Sequence, residues 1–228
     1  MPNPYFTNKT MKFLKQLALN NQRDWFNEHK QDYEDVIRTP ALNFISDFND
    51  ELMMISPHFT AKRKKVGGSL MRIYRDVRFG KDKSPYKLNI GIQFRHERAK
   101  DVHSPGFYVH IEPGNNFIGA GIWRPDSDAL GSIRDWICEK ESLWIEIKKD
   151  KTFNEHFKLA GDTLIRPPKG YDKEHPQLVD LKRKDFIAIA NVSNKFVLSN
   201  DFRDDVFSYF SAADIYMQFL CDALELRY

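Results

Sequence analysis

The chain has 228 residues, a length that fits one domain or at most two small ones. Its formal net charge of +3 is too small to indicate nucleic-acid binding by itself, and its 41% hydrophobic residues are normal for a soluble globular protein. No apolar run approaches the ~18 residues of a membrane span, and no N-terminal segment is typical of a signal peptide. We therefore expect a cytoplasmic protein without a membrane segment. Cys138 and Cys221 lie in apolar helical patterns, which predicts reduced thiols in a core.

Three apolar stripes at helical spacing predict three helices at the start of the chain. The first stripe contains Phe13 and Leu17, and the second contains Trp25 and Phe26, which we expect in the core. Thr39-Pro40 is typical of a helix N-cap followed by an N1 proline, so it predicts where the third helix begins.

The segment from Ser69 to Phe94 predicts a β-hairpin. Apolar and polar residues alternate with period two on both sides of a polar turn at Gly80–Pro85. Arg75 interrupts the apolar face, so its burial would require a partner such as Asp76, Asp82 or a distant carboxylate. The polar face would gather six side chains, namely Arg72, Tyr74, Arg78, Lys87, Asn89 and Gln93.

Positive charge is concentrated in the same part of the chain. From Lys62 to Lys87 there are ten Lys or Arg and two Asp, a local net charge of +8, which leaves −5 for the remainder. This focus is typical of a surface that meets an anion. The basic run Lys62–Lys65 fits either a solvated loop or an arm that helps to hold a polyanion.

Further alternation predicts more strands. Phe107–Glu112 and Phe117–Trp123 flank a turn at residues 113–116, and Phe186–Val192 is another apolar run of strand length. Ser199 or Asn200 would begin the last helices. The predicted fold class is α+β, with a central antiparallel sheet, a meander of at least four strands, between N-terminal and C-terminal helices.

The run RIYRDVRFGKDKSPYK resembles the signature of domain of unknown function 2461 (DUF2461), a widespread, mainly bacterial family of uncharacterised proteins. The runs NNQRDWFNEHKQDYE, PGFYVHIEPGNNFIGAGIWRP and RPPKGYDKEHP are similar to other parts of that family. The resemblance covers nearly the whole chain and implies a single DUF2461-like domain over residues 1–228. It implies no activity.

The polar faces of the predicted strands form the candidate ligand site. Gly91, Gly119 and Gly121 share these faces, and glycine inside a strand often marks close approach by a ligand or another backbone. Cations with aromatic side chains suit a phosphate- or carboxylate-bearing ligand. Alternatively, a helix covers this face and packs on the glycines. The candidate ligand-binding residues are Arg72, Tyr74, Arg78, Lys81, Lys83, Lys87, Asn89, Tyr108 and Trp123.

Three hypotheses follow for the function. The first is binding of an anionic, phosphate-bearing ligand, such as a phosphorylated small molecule, on the sheet. The second is a hydrolase or nuclease in which His110 and Glu112, at i and i+2, act as general acid and base. A metal site would need a third ligand from His96 or His103, and we predict neither a metal nor a particular cofactor. The third is a nucleic-acid or protein interaction module with aromatic residues stacking on bases.

Overall fold

The computed structural model of the protein describes residues 3–78, 80–99 and 103–228. They form an α+β fold around a six-stranded antiparallel sheet with the order β1-β2-β3-β4-β6-β5. The predicted meander is confirmed in β2-β3-β4, and the predicted strand Phe186–Val192 is confirmed as β6. The strands are β1 (Phe59–Thr60), β2 (Ile90–His96), β3 (Gly106–Ile111), β4 (Asn116–Ile122), β5 (Lys158–Ala160) and β6 (Phe186–Val192).

Helices occupy both ends of the chain, as predicted, and also separate β4 from β6. The N-terminal helices are α1 (Asn8–Leu19), α2 (Arg23–Glu28), α3 (Lys30–Tyr33), α4 (Thr39–Asp47) and α5 (Asn49–Ile55). The later helices are α6 (Ser127–Glu139), α7 (Glu141–Lys149), α8 (Lys151–His156), α9 (Leu178–Leu181), α10 (Asn194–Val197), α11 (Phe202–Ala212) and α12 (Asp214–Ala223). None of the helices in the described ranges combines the length and apolar character that crossing a bilayer requires.

α4 begins at Thr39 with Pro40 in its first turn, as the Thr39-Pro40 pattern predicts, but Thr39 has helical backbone angles and is not an N-cap. The helical backbone runs on from α3 through a π-helical turn, Glu34–Arg38, into α4. Pro40 has no N–H to donate to the carbonyl of Val36, four residues earlier. The Thr10 hydroxyl of α1 donates to that carbonyl instead, at 2.9 Å, so the proline is accommodated inside the helix.

One face of the sheet packs against the helices and forms an aromatic core. The rings of Phe94 and Phe107 lie 5.9 and 4.6 Å from the ring of Phe210 in α11. The core prediction is confirmed for Phe26, which is 2% exposed, and Trp25 packs partly buried against the same core.

Both cysteines are free thiols, as predicted. Cys221 is buried and Cys138 is half-buried.

A buried carboxylate connects two of the later helices. Asp180 of α9 is buried and accepts hydrogen bonds from Trp144 Nε1 at 2.9 Å, Lys148 Nζ at 2.8 Å and Arg183 Nε at 2.9 Å. This carboxylate therefore joins α7 to α9.

The predicted hairpin is present as irregular pairing along the edge of β2. Isolated bridges join Leu70 to Ile92 and Tyr74 to Tyr86, but residues 71–87 form no regular strand in their described part. We call residues 71–87 the edge segment; Phe79 lies outside the described residues.

Side chains explain why a continuous ladder is not formed in the edge segment. Asp76 accepts a hydrogen bond from the backbone N–H of Arg78, and Asp82 accepts one from the N–H of Ser84. Such local turns compete with strand pairing. Arg75 is half-buried and pairs with Asp82, one of the partners predicted for it.

Candidate functional site

A cleft of about 590 Å³ lies on the sheet face opposite to the packed helices. The register aligns Gln93, Tyr108, Gly119 and Ile189 in one row across β2, β3, β4 and β6, and all four line the cleft. The cleft therefore occupies the face that period-two alternation assigned to a ligand, and among the described residues no helix contributes to its lining.

The three glycines that were predicted for this face have different structural roles. A Cβ atom on Gly119 would lie 3.6 Å from Tyr108 Cβ, an ordinary contact, so this glycine leaves the floor of the cleft open. A Cβ on Gly91 would lie 2.6 Å from the Tyr108 hydroxyl, so Gly91 makes room for that side chain. Gly121 has φ +123°, and its Cβ would come well under 3.0 Å from the Phe186 carbonyl oxygen. Gly121 therefore fits the predicted alternative of close approach by another backbone, whereas at Gly119 the space next to the backbone is left open.

His110 is the centre of a hydrogen-bonded network in the cleft. Its Nε2 lies 3.2 Å from Glu112 Oε2, and its Nδ1 lies 3.3 Å from the Tyr108 hydroxyl and 3.4 Å from Asn89 Nδ2. The ring stacks on Phe117, with centroids 4.4 Å apart and planes at 11°. A neutral imidazole with its proton on Nε2 fits these contacts, because it donates to the carboxylate while the phenol and the amide share the single lone pair of Nδ1.

The surroundings of this network favour neutral side chains. Burial lowers the pKa of His110 below its ordinary value, although the Glu112 carboxylate opposes the shift. Burial raises the pKa of Tyr108 to about 12. Both side chains can therefore act as hydrogen-bond donors and acceptors near neutral pH without carrying charge.

Lys87 brings one cation to the cleft lining. It is half-buried, and no hydrogen-bond or ion-pair partner for its ammonium group is found within the described ranges. Burial, together with the nearby charge of Arg72, lowers the pKa of Lys87. Both causes act in the same direction, because each disfavours the ammonium form.

Trp123 forms the rim of the cleft and is 46% exposed. The His103 ring stacks on it, with centroids 5.7 Å apart, and His103 Nδ1 lies 3.0 Å from the Trp123 carbonyl oxygen. The Arg124 guanidinium lies 4.8 Å from the centroid of the Trp123 ring. These contacts fix the orientation of the indole.

The other predicted cations lie outside the cleft lining. Arg72 is exposed but close enough to influence Lys87, and Arg78 pairs with Asp76 at 2.7 Å. Lys81 is exposed, and Lys83 Nζ donates to the Val77 carbonyl at 2.9 Å. Tyr74 lines a separate hollow of about 260 Å³, together with Arg23 and Arg75. The structure thus brings together six predicted site residues, namely Lys87, Asn89, Tyr108, His110, Glu112 and Trp123.

Sequence reasoning missed the apolar walls. Phe117 of β4 and Ile187 and Ile189 of β6 line the cleft, and Met71 closes it on the side of the edge segment. Alternation within Phe186–Val192 places Ile187 and Ile189 on one face. It does not reveal that β6 lies beside β4, so the pattern by itself could not assign these residues to the site.

Among the residues that the structure describes, no group of three or more His, Cys, Asp or Glu side chains could hold a metal ion. His96, considered as a third ligand, is buried, and its Nε2 lies 2.8 Å from the Arg227 carbonyl oxygen. His103 stacks on Trp123 at the rim instead of facing Glu112.

A family model described as "Conserved hypothetical protein (DUF2461)" matches residues 9–219 of the chain. The matched range includes every strand of the sheet and the whole edge segment. The comparisons with curated proteins and with solved structures each found no match.

Proposed function

This chain belongs to the DUF2461 family of conserved hypothetical proteins, and we propose that it binds a small organic anion, with a phosphate or carboxylate group, in the sheet cleft. The observation that carries the proposal is the environment of Lys87, a half-buried cation without a carboxylate partner in the described part of the chain. A cation removed from water is costly unless an opposite charge compensates it. A bound anion would provide that charge.

The rest of the cleft suits the non-ionic part of such a ligand. Its volume of about 590 Å³ is within the range of small-molecule sites, and Phe117, Ile187 and Ile189 offer apolar contact area. Gln93 and Tyr108 add a small number of neutral hydrogen-bonding groups. We therefore expect a ligand that combines one anionic group with an apolar body.

The hydrolase or nuclease hypothesis is supported by the contact between His110 and Glu112, because a carboxylate commonly orients a histidine that transfers protons. One observation weighs against it: the raised pKa of Tyr108, whose hydroxyl contacts His110, opposes the use of that hydroxyl as a nucleophile. If the protein were a hydrolase of this kind, His110→Ala would abolish turnover while the fold remained intact.

The interaction-module hypothesis draws on the basic stretch from Lys62 to Lys87. Two of its arginines, Arg75 and Arg78, are paired with Asp82 and Asp76, which reduces the field available to a polyanion. A nucleic acid would still reveal itself through binding that weakens steeply with salt.

The test compares Lys87→Met with Lys81→Met, an exposed lysine of the same segment that lies outside the cleft lining. Phenyl phosphate and benzoate serve as probes, and binding is measured by calorimetry and by the shift in melting temperature. We expect Lys87→Met to weaken binding at least ~10-fold, equivalent to about 1.4 kcal/mol, and Lys81→Met to leave it unchanged. Equal effects of the two substitutions, or no binding of either probe to the unmodified protein, would contradict the proposal.

A further inference from the structure

We propose that Lys87 is a nucleophile that forms an imine with the carbonyl group of an aldehyde or ketone bound in the sheet cleft. The inference rests on the proposed function, because the same cleft must admit the anionic ligand that carries the carbonyl. It adds a covalent step that binding of an anion does not require. The ammonium form of Lys87 attracts the anion, and the neutral form, which burial and Arg72 favour, attacks the carbonyl carbon.

The first support is the position of the amine. A lysine reacts with a carbonyl only in its neutral form, which is favoured where the amine is desolvated and lies near another cation. Lys87 meets both conditions, since it lines an apolar cleft and is close to Arg72. Its ammonium form also lacks a stabilising carboxylate among the described residues, unlike Lys148, which pairs with Asp180.

The second support is the presence of neutral proton-transferring groups in the same cleft. Lone-pair attack by the Lys87 nitrogen on the carbonyl carbon forms the N–C bond, and the carbonyl oxygen takes a proton while the nitrogen loses one. The resulting carbinolamine then loses its hydroxyl group, with a proton, as water, while the remaining N–H proton is released and the C=N bond forms. Tyr108 and His110 supply a donor and an acceptor, and no oxidant or reductant is consumed.

The third support is the wall composition. Phe117, Ile187 and Ile189 line the same cleft with apolar surface, which offers contact area to the apolar body of a ligand whose carbonyl reaches Lys87. The open floor at Gly119 leaves room for the ligand body.

The experiment uses the unmodified full-length protein with para-carboxybenzaldehyde, which carries a carboxylate, an aromatic body and an aldehyde. Cyanoborohydride at near-neutral pH reduces any imine to a stable amine, and peptide mass mapping measures labelling at each lysine. We expect Lys87 to be labelled at least ~10-fold faster than exposed Lys81, because burial and a neighbouring cation favour the neutral amine. Excess benzoate should slow labelling of Lys87 and leave Lys81 unaffected.

A matched variant separates failure of this inference from failure of the proposed function. Lys87→Arg keeps a cation in the cleft but cannot form an imine. Equal labelling of Lys87 and Lys81, with benzoate bound by both the unmodified protein and Lys87→Arg, would overturn the imine and leave anion binding intact. Equal labelling without benzoate binding to the unmodified protein would overturn both proposals.

Discussion

Gly119 and Gly121 lie two residues apart on the same face of β4, yet replacing each by alanine should have opposite effects on stability. At Gly121 the backbone has φ +123°, and a Cβ would collide with the Phe186 carbonyl oxygen and lie 3.0 Å from Ile187 Cα. At Gly119 the nearest atom to a Cβ would be Tyr108 Cβ, at 3.6 Å, and φ is in the ordinary range.

The magnitudes follow from these two environments. For Gly121→Ala, the unfavourable backbone conformation costs about 1–3 kcal/mol, and overpacking against backbone atoms costs about 1–3 kcal/mol more. We therefore expect a loss of about 2–6 kcal/mol in the free energy of unfolding, a large part of the ~5–15 kcal/mol of a typical domain. For Gly119→Ala, we expect a gain of about 0.5–1 kcal/mol, because glycine inside a strand has more conformational entropy to lose.

Urea denaturation followed by far-ultraviolet circular dichroism measures both changes, with the unmodified protein as reference. The two variants control for each other, because each adds one methyl group to the same strand. The packing argument would be refuted if the free energy of unfolding of Gly121→Ala lay within 1 kcal/mol of the reference value, or if Gly119→Ala were the less stable of the two variants. Gly119→Ala should also weaken phenyl phosphate binding, since its methyl group occupies the cleft floor.

Two further predictions concern buried ionisable groups. Asp180→Asn should destabilise the protein by about 2–4 kcal/mol, because Lys148, a third exposed, and Arg183, more buried, lose their carboxylate partner. Burial opposes ionisation of Asp180, but the hydrogen bonds from Lys148 and Arg183 hold its pKa below the ordinary value. The stability that the Asp180 carboxylate contributes is therefore fully present at a pH above the ordinary aspartate pKa, and it is lost as the pH falls through the lower pKa of the folded state. The free energy of unfolding of Asp180→Asn should fall less steeply with decreasing pH than that of the unmodified protein, and an equally steep fall would contradict this reasoning. For His110, an NMR titration should give a pKa below 6.5 because of burial, and Glu112→Gln should lower it further. A pKa that rises in that variant would show that the carboxylate does not act on the ring.

Alternation predicted the strands of the meander well because each strand has one face in the core and one outside it. It failed in the edge segment before the predicted turn, where Asp76 accepts a hydrogen bond from the Arg78 backbone N–H and turns the chain away from regular pairing. The N-cap pattern at Thr39-Pro40 located the start of α4, but it did not reveal that the helical backbone continues before Thr39, where the Thr10 hydroxyl of another helix bonds the Val36 carbonyl.

The candidate site was predictable to a similar extent. Tyr108, His110 and Trp123 follow from the period of the meander strands, and all three line the cleft. The positions of Lys and Arg in the sequence predicted the cleft lining less well, because a cation can pair with a neighbouring carboxylate, as Arg78 does with Asp76. The apolar walls from β6 depend on a long-range pairing with β4 across four intervening helices, which composition and periodicity do not specify.

The two outermost strands of the sheet are much shorter than the central ones. β1 has two residues and β5 has three, whereas β2, β4 and β6 have seven each. Beyond β1, the exposed side of β2 is occupied by backbone hydrogen bonds from the Met71 N–H to the Gly91 carbonyl and from the Gln93 N–H to the Ser69 carbonyl. Short or covered borders offer few free N–H and C=O groups to another polypeptide. A sheet with one open face can thus coexist with resistance to amyloid-like stacking at high protein concentration.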